Sequence, residues 1–170
     1  MSFSKTLESM TKEELIRYAE LLSKNMMSLD GYWFLGLEEK YGLGVAIEHD
    51  KDAWSKFAVT EARRLKEFLG IRDGSIDDLQ RAMRLLSFGT TSGIETAITN
   101  GRLAVTITNC RPQRARLKAG RGEFPCKSVG MAHLSAFAKE INPRFKASCL
   151  KCPPDSHPKE YWCSWEFYLE

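Results

Sequence analysis

The sequence predicts an α+β fold in which a helical N-terminal half packs on an antiparallel sheet made of two hairpins, with a helix between them. Three observations carry this expectation. Over residues 1–90 the apolar side chains recur at helical spacing between capping signals. From Ile94 the period drops to two, and Asn100-Gly101 divides two β-rich runs in the manner of a tight hairpin. Cysteine is then confined to the last third of the chain, at Cys110, Cys126, Cys149, Cys152 and Cys163. Residues 91–170 therefore read as the cysteine-bearing α+β part of a single domain spanning 1–170.

The elements follow in order. Thr11 and Glu14 form a capping box for a helix over about 12–27, whose apolar face is Leu15, Tyr18, Ala19 and Leu22. Leu29-Asp30-Gly31 reads as a break, and a second, aromatic-rich helix over 32–41 ends at Gly42. Val45 to Asp50 suits either a short strand or the start of the next helix, with Asp50 or Asp52 as its cap. That helix runs through Trp54, Phe57, Ala62, Leu65 and Phe68 to a terminal Gly70. Ser75 caps a further helix from Ile76 to about Phe88, followed by a loop over 89–93. In the hairpin, Leu103, Val105 and Ile107 face one way and Ala104, Thr106 and Thr108 the other. Residues 111–122 read as irregular and basic, and Phe124-Pro125-Cys126 opens a helix that Pro143 ends. Strands over 145–149 and 161–169, joined by a proline-rich turn, complete the second hairpin.

Composition narrows the function. A chain of 170 residues, 43% hydrophobic and 28% charged, has enough apolar material for a sizeable core. No apolar run approaches the roughly 18 residues that cross a bilayer, and the N-terminus lacks the apolar centre of a signal peptide. A cytoplasmic location is expected, with no membrane partner. There thiols stay reduced, so metal ligation or thiol chemistry outranks a disulfide framework. The net charge of +3 is uneven: residues 102–151 carry 11 basic and 2 acidic side chains.

The cysteines point to a site. Cys149-Leu-Lys-Cys152 is a C-x-x-C turn, which places two sulfurs on one ion, and Cys163 lies on the strand expected to return beside it. Cys126, or less readily Cys110, completes a set of four for zinc or an iron–sulfur cluster. Cys126 is also a candidate catalytic nucleophile, because a helix start next to Lys127 and Arg121 favours thiolate. Arg111, Arg114 and Arg116 offer planar guanidinium groups to a small anionic ligand. Trp33 and Glu38 are further pocket candidates. No RNA- or DNA-binding module pattern is present, so nucleic acid is not expected as a partner, and a homodimer is left open.

Cys110-Arg111-Pro112-Gln113, Phe124-Pro125-Cys126-Lys127-x-Val129-Gly130, Cys149-x-x-Cys152-Pro153-Pro154-Asp155 and Trp162-Cys163-Ser164-Trp165-Glu166-Phe167 resemble the C-terminal signature of an uncharacterised, cysteine-rich family of bacterial and archaeal cytosolic proteins. Gly31-x-Trp33-Phe34-x-x-x-Glu38-x-x-x-Gly42 with Trp54 resembles its N-terminal half. More distantly, the stretch from Cys126 onward is similar to four-vinyl reductase domains, which implies a small-molecule-binding module with metal-binding cysteines. A similar comparison is with the L-2-amino-thiazoline-4-carboxylic acid hydrolase-like proteins, which implies hydrolysis of a small cyclic carboxylate. The expected function is a cysteine-ligated metal protein that binds a small anionic molecule as a sensor or carrier. The alternative is a hydrolase or redox enzyme that uses the metal or the Cys126 thiolate.

Overall fold

The computed structural model describes residues 3–170. A short helix, α1 (Phe3–Glu8), precedes two long ones, α2 (Lys12–Tyr41) and α3 (Leu43–Leu69). The Thr11–Glu14 capping box is formed as expected, and Gly70 ends α3 in the left-handed conformation. The break expected at Leu29-Asp30-Gly31 is absent, because α2 runs through it unbroken. An interior glycine costs a helix about 1 kcal/mol. Packing against α3 outweighs that cost, and Trp54 on α3 donates its indole N–H to Asp30 at 3.1 Å. Residues 45–50 are helical from the outset, since the turn between the two helices is made by Gly42 alone at φ 85°.

Ser75 caps α4 (Ile76–Met83), a helix shorter than expected, and a four-residue helix α5 (Gly89–Ser92) stands where a loop was expected. The hairpin is as expected. Strands β1 (Ile94–Thr99) and β2 (Arg102–Ile107) pair antiparallel, Ile94 opposite Ile107, and Asn100 and Gly101 both have positive φ. The basic stretch after Cys110 is not irregular but forms a helix, α6 (Arg111–Lys118), with Pro112 in its first turn. Then come α7 (Lys127–Ile141), β3 (Phe145–Lys151) and β4 (Cys163–Leu169).

The four strands form one sheet in the order β1-β2-β4-β3, antiparallel throughout. The two hairpins thus join through β2 and β4, with Val105 opposite Trp165 and Ile107 opposite Cys163. One face carries Leu103, Val105, Trp165 and Phe167, all buried; α7 and α4 pack against the sheet, and α3 packs on α7. The opposite face is more polar, with a Thr106–Ser164 hydroxyl pair and an Arg102–Glu166 ion pair. An antiparallel sheet readily presents one face to a core and the other to water. Among the described residues no helix is long and apolar enough to cross a membrane.

Candidate functional site

The site begins at the N-terminus of α7. The first amides of a helix lack intrahelical acceptors. Here the Lys127 N–H donates to the Pro153 carbonyl at 3.0 Å, and Lys127 Nζ reaches Asp155 at 2.7 Å. These bonds dock the β3–β4 turn onto α7 and bring Cys152 to Cys126, with the sulfurs 3.5 Å apart. Cys163, at the start of β4, acts on Cys152 as well. Gln113 of α6 completes the surroundings. It is fully buried, exchanges two 2.7 Å hydrogen bonds with the Phe124 backbone, and approaches Cys126 Sγ at 3.5 Å.

This arrangement divides the thiols by acidity. Donation from Cys152, helped by Gln113, pulls the Cys126 pKa below the usual thiol value against the cost of burial. Cys152, as the donor, is pushed up. Burial also pushes Cys110 up, to about 12. Within the Cys126–Cys152 pair, Cys126 is the thiol favoured to ionise.

The thiols open into a cavity of about 330 Å3, within the size range of small-molecule sites. Its lining is mostly apolar and aromatic and is drawn from both halves of the chain. Phe34 and Leu35 come from α2, Trp54 from α3 and Val129 from α7, with Phe88 beside α5, and Val105 and Trp165 from the sheet. Four of the five cysteines line it: Cys110, Cys126, Cys152 and Cys163. Two acids also line it, Asp30 on α2 and Asp50 on α3. Burial raises the pKa of Asp30, with the Trp54 N–H working against it. Burial and the charge of Asp30 together raise that of Asp50 to about 7. Asp50 is near enough for its charge to act on Cys126.

The residues expected from sequence are distributed unevenly. Cys126, Cys152 and Cys163 come together at the cavity, whereas Cys149 packs at its edge on β3 and does not line it. Among the described residues no group of three or more His, Cys, Asp or Glu is arranged to hold a metal ion. Arg111 and Arg116 line the cavity but are engaged within the fold. Arg111 donates to the Lys24 carbonyl and to Ser28, and Arg116 makes a two-bond pair with Glu38 at 2.6 and 3.1 Å. Arg114 is turned to Asn109. Trp33 is 68% exposed and outside the cavity, while its neighbour Phe34 lines it.

Sequence reasoning missed Asp30 and the pocket role of Asp50. A signal existed. Asp50 stands four residues from both Ala46 and Trp54, and Asp30 four from Phe34 and three from Met27, so each acid falls on the apolar face of its helix.

Residues 8–169 match the profile of a family of unknown function (DUF6125). The chain belongs to this family. That agrees with the uncharacterised family expected from the cysteine motifs. The DUF6125 match covers both the helical half and the cysteine half. No curated protein matches the sequence. Among solved structures, the chain is similar to a trafficking protein particle complex subunit 3 from Naegleria fowleri, described as covalently bound to palmitic acid. The two share 14% identity at a TM-score of 0.51, over 90% of this chain and 95% of that one. At that identity the likeness is one of fold.

Proposed function

We propose that this DUF6125 protein is a small-molecule-binding module that seats an apolar ligand in the cavity between α2, α3, α7 and the sheet, with the ligand's reactive end at Cys126. The observation that carries the reading is a mostly apolar cavity into which a thiolate-prone cysteine opens. The solved structure of similar fold supports it, since that protein holds palmitic acid covalently.

The thiols favour one of two ways to secure the ligand. One is a covalent bond to Cys126. The other is a soft metal ion on the Cys126–Cys152 sulfur pair, two of the four cysteines (Cys126, Cys149, Cys152 and Cys163) expected from the sequence to hold one. Two sulfurs on one tetrahedral zinc at about 2.3 Å stand roughly 3.8 Å apart, close to the separation found here. The lowered pKa of Cys126 favours a second reading, catalysis by its thiolate on a small molecule, hydrolytic or redox.

Mass spectrometry of the protein as purified, native and then denaturing, tests the proposal. An occupant in the native spectrum is expected. If it survives denaturation and maps to Cys126, the link is covalent. A metal mass lost on denaturation and absent from Cys126→Ser supports the ion. An empty native spectrum, together with no thermal shift from apolar ligands, would sink the binding reading. Turnover of a bound molecule that is lost in Cys126→Ser while binding persists would favour the enzyme.

A further inference from the structure

We propose that the Asp30–Asp50 pair, framed by the Trp54, Phe34 and Phe88 rings, binds the protonated amine of an apolar ligand. This inference rests on the reading of the cavity as a ligand site and names the class of its occupant. It begins from a count of donors and acceptors. Two carboxyl groups present four acceptor oxygens, and among the described residues one donor serves both: the Trp54 N–H, which bonds Asp30 at 3.1 Å and also acts on Asp50. Neither acid forms an ion pair with a lysine or arginine among the described residues. Arg116 and Arg121 of the same cavity are held by Glu38 and Glu39, and Arg111 by Lys24 and Ser28.

One further group shows that the cavity has hydrogen-bonding capacity the fold leaves unused. The Trp165 indole N–H belongs to a cavity-lining side chain, 1% exposed, and has no hydrogen-bond partner among the described residues. His133 Nε2, by contrast, is paired with Glu61 Oε2 at 3.8 Å. Buried polar atoms in native proteins are nearly always satisfied, so the Trp165 N–H marks a place where an occupant supplies the partner.

The charge and the rings then select the occupant. Carboxyls in an apolar site attract a group that brings both N–H donors and positive charge, and an ammonium does so. Trp54 packs edge-on to Phe88 at 5.9 Å and to His133 at 5.1 Å, and aromatic faces stabilise an adjacent cation. The acids would hold the ammonium, the aromatic wall the body, and the Trp165 N–H an acceptor elsewhere on the ligand.

Calorimetric titration of the full chain with 4-phenylbutylamine, 4-phenylbutanol and 4-phenylbutyrate at neutral pH tests this. The three probes share one body and differ in the head group. The amine is expected to bind roughly tenfold tighter than the alcohol, and the carboxylate most weakly, as one charge-assisted hydrogen bond implies. Asp30→Asn and Asp50→Asn should each erase most of the preference for amine over alcohol, and an unchanged circular dichroism spectrum shows that the variants remain folded. If the alcohol binds as well as the amine, or the carboxylate binds best, the amine inference is overturned and the cavity remains a ligand site. If none of the three binds, both the inference and the reading beneath it fail.

Discussion

A methyl group added at position 130 would lie 2.6 Å from the ring of Trp165. Trp165 is 1% exposed, and only the cavity it borders offers it room to move. Alanine in place of a helical glycine gains about 1 kcal/mol of propensity. Overpacking a closed core costs about 1–3 kcal/mol. The clash is with a buried ring, so the second effect should win: Gly130→Ala is expected to lower the urea midpoint, and an unchanged or higher midpoint would show that the ring yields. At Asp50 the expectation concerns pH. Its pKa rises from 3.8 to about 7 on folding, so the folded chain holds the proton more tightly than the unfolded one. The stability this contributes is complete below pH 3.8 and is lost as pH climbs towards 7. Asp50→Asn cannot ionise, so its Tm relative to the parent should rise between about pH 4 and 7 and level off above that. A constant difference across that range would refute the shift. Asp30, also raised by burial, acts in the same sense.

At the scale of elements, the caps were legible because they are local. Ser75 accepts from the Asp78 N–H while Asp78 reaches back to the Ser75 N–H, an arrangement spanning four consecutive residues. Ser75→Ala should cost about 1 kcal/mol in denaturant melts, and no loss would mean that α4 is held by packing alone. α6 was not legible. Its arginine-rich stretch lacks an apolar period, and the helix is secured from outside by Gln113 on the Phe124 backbone and by Arg116 on Glu38 of α2. The Arg116 and Glu38 side chains are only 8% and 14% exposed, and the guanidinium holds the Glu38 carboxyl below its usual pKa. Removing one partner leaves a nearly buried charge, at a cost of about 3 kcal/mol or more. Glu38→Gln and Arg116→Met should each destabilise strongly, and the double variant by less than their sum. Simple additivity in that cycle would show that the pair is not coupled.

At the scale of the molecule, α2 leaves a row of apolar side chains uncovered. Leu15, Leu22 and Leu29 recur every seventh residue and are 41%, 50% and 60% exposed, and Tyr32 beyond them is 75% exposed. A seven-residue spacing keeps the row on one side of the helix, and a second copy would present the same row. The homodimer left open by the sequence is therefore expected in solution, with Leu22→Glu shifting it to monomer. Light scattering that finds the parent protein monomeric at high concentration would dismiss it. By itself the sequence determined the α+β class, the caps of α2 and α4, the end of α3 and the β1–β2 hairpin. Each is written in a few neighbouring residues whose backbone preferences act locally. Only the tertiary structure decided that α2 continues through Gly31, that β2 pairs with β4, and that Cys152 rather than Cys149 meets Cys126. It also decided that Asp30 and Asp50, from two different helices, both meet the Trp54 N–H. Those outcomes depend on contacts between residues far apart in the chain, where burial and packing outweigh local preference.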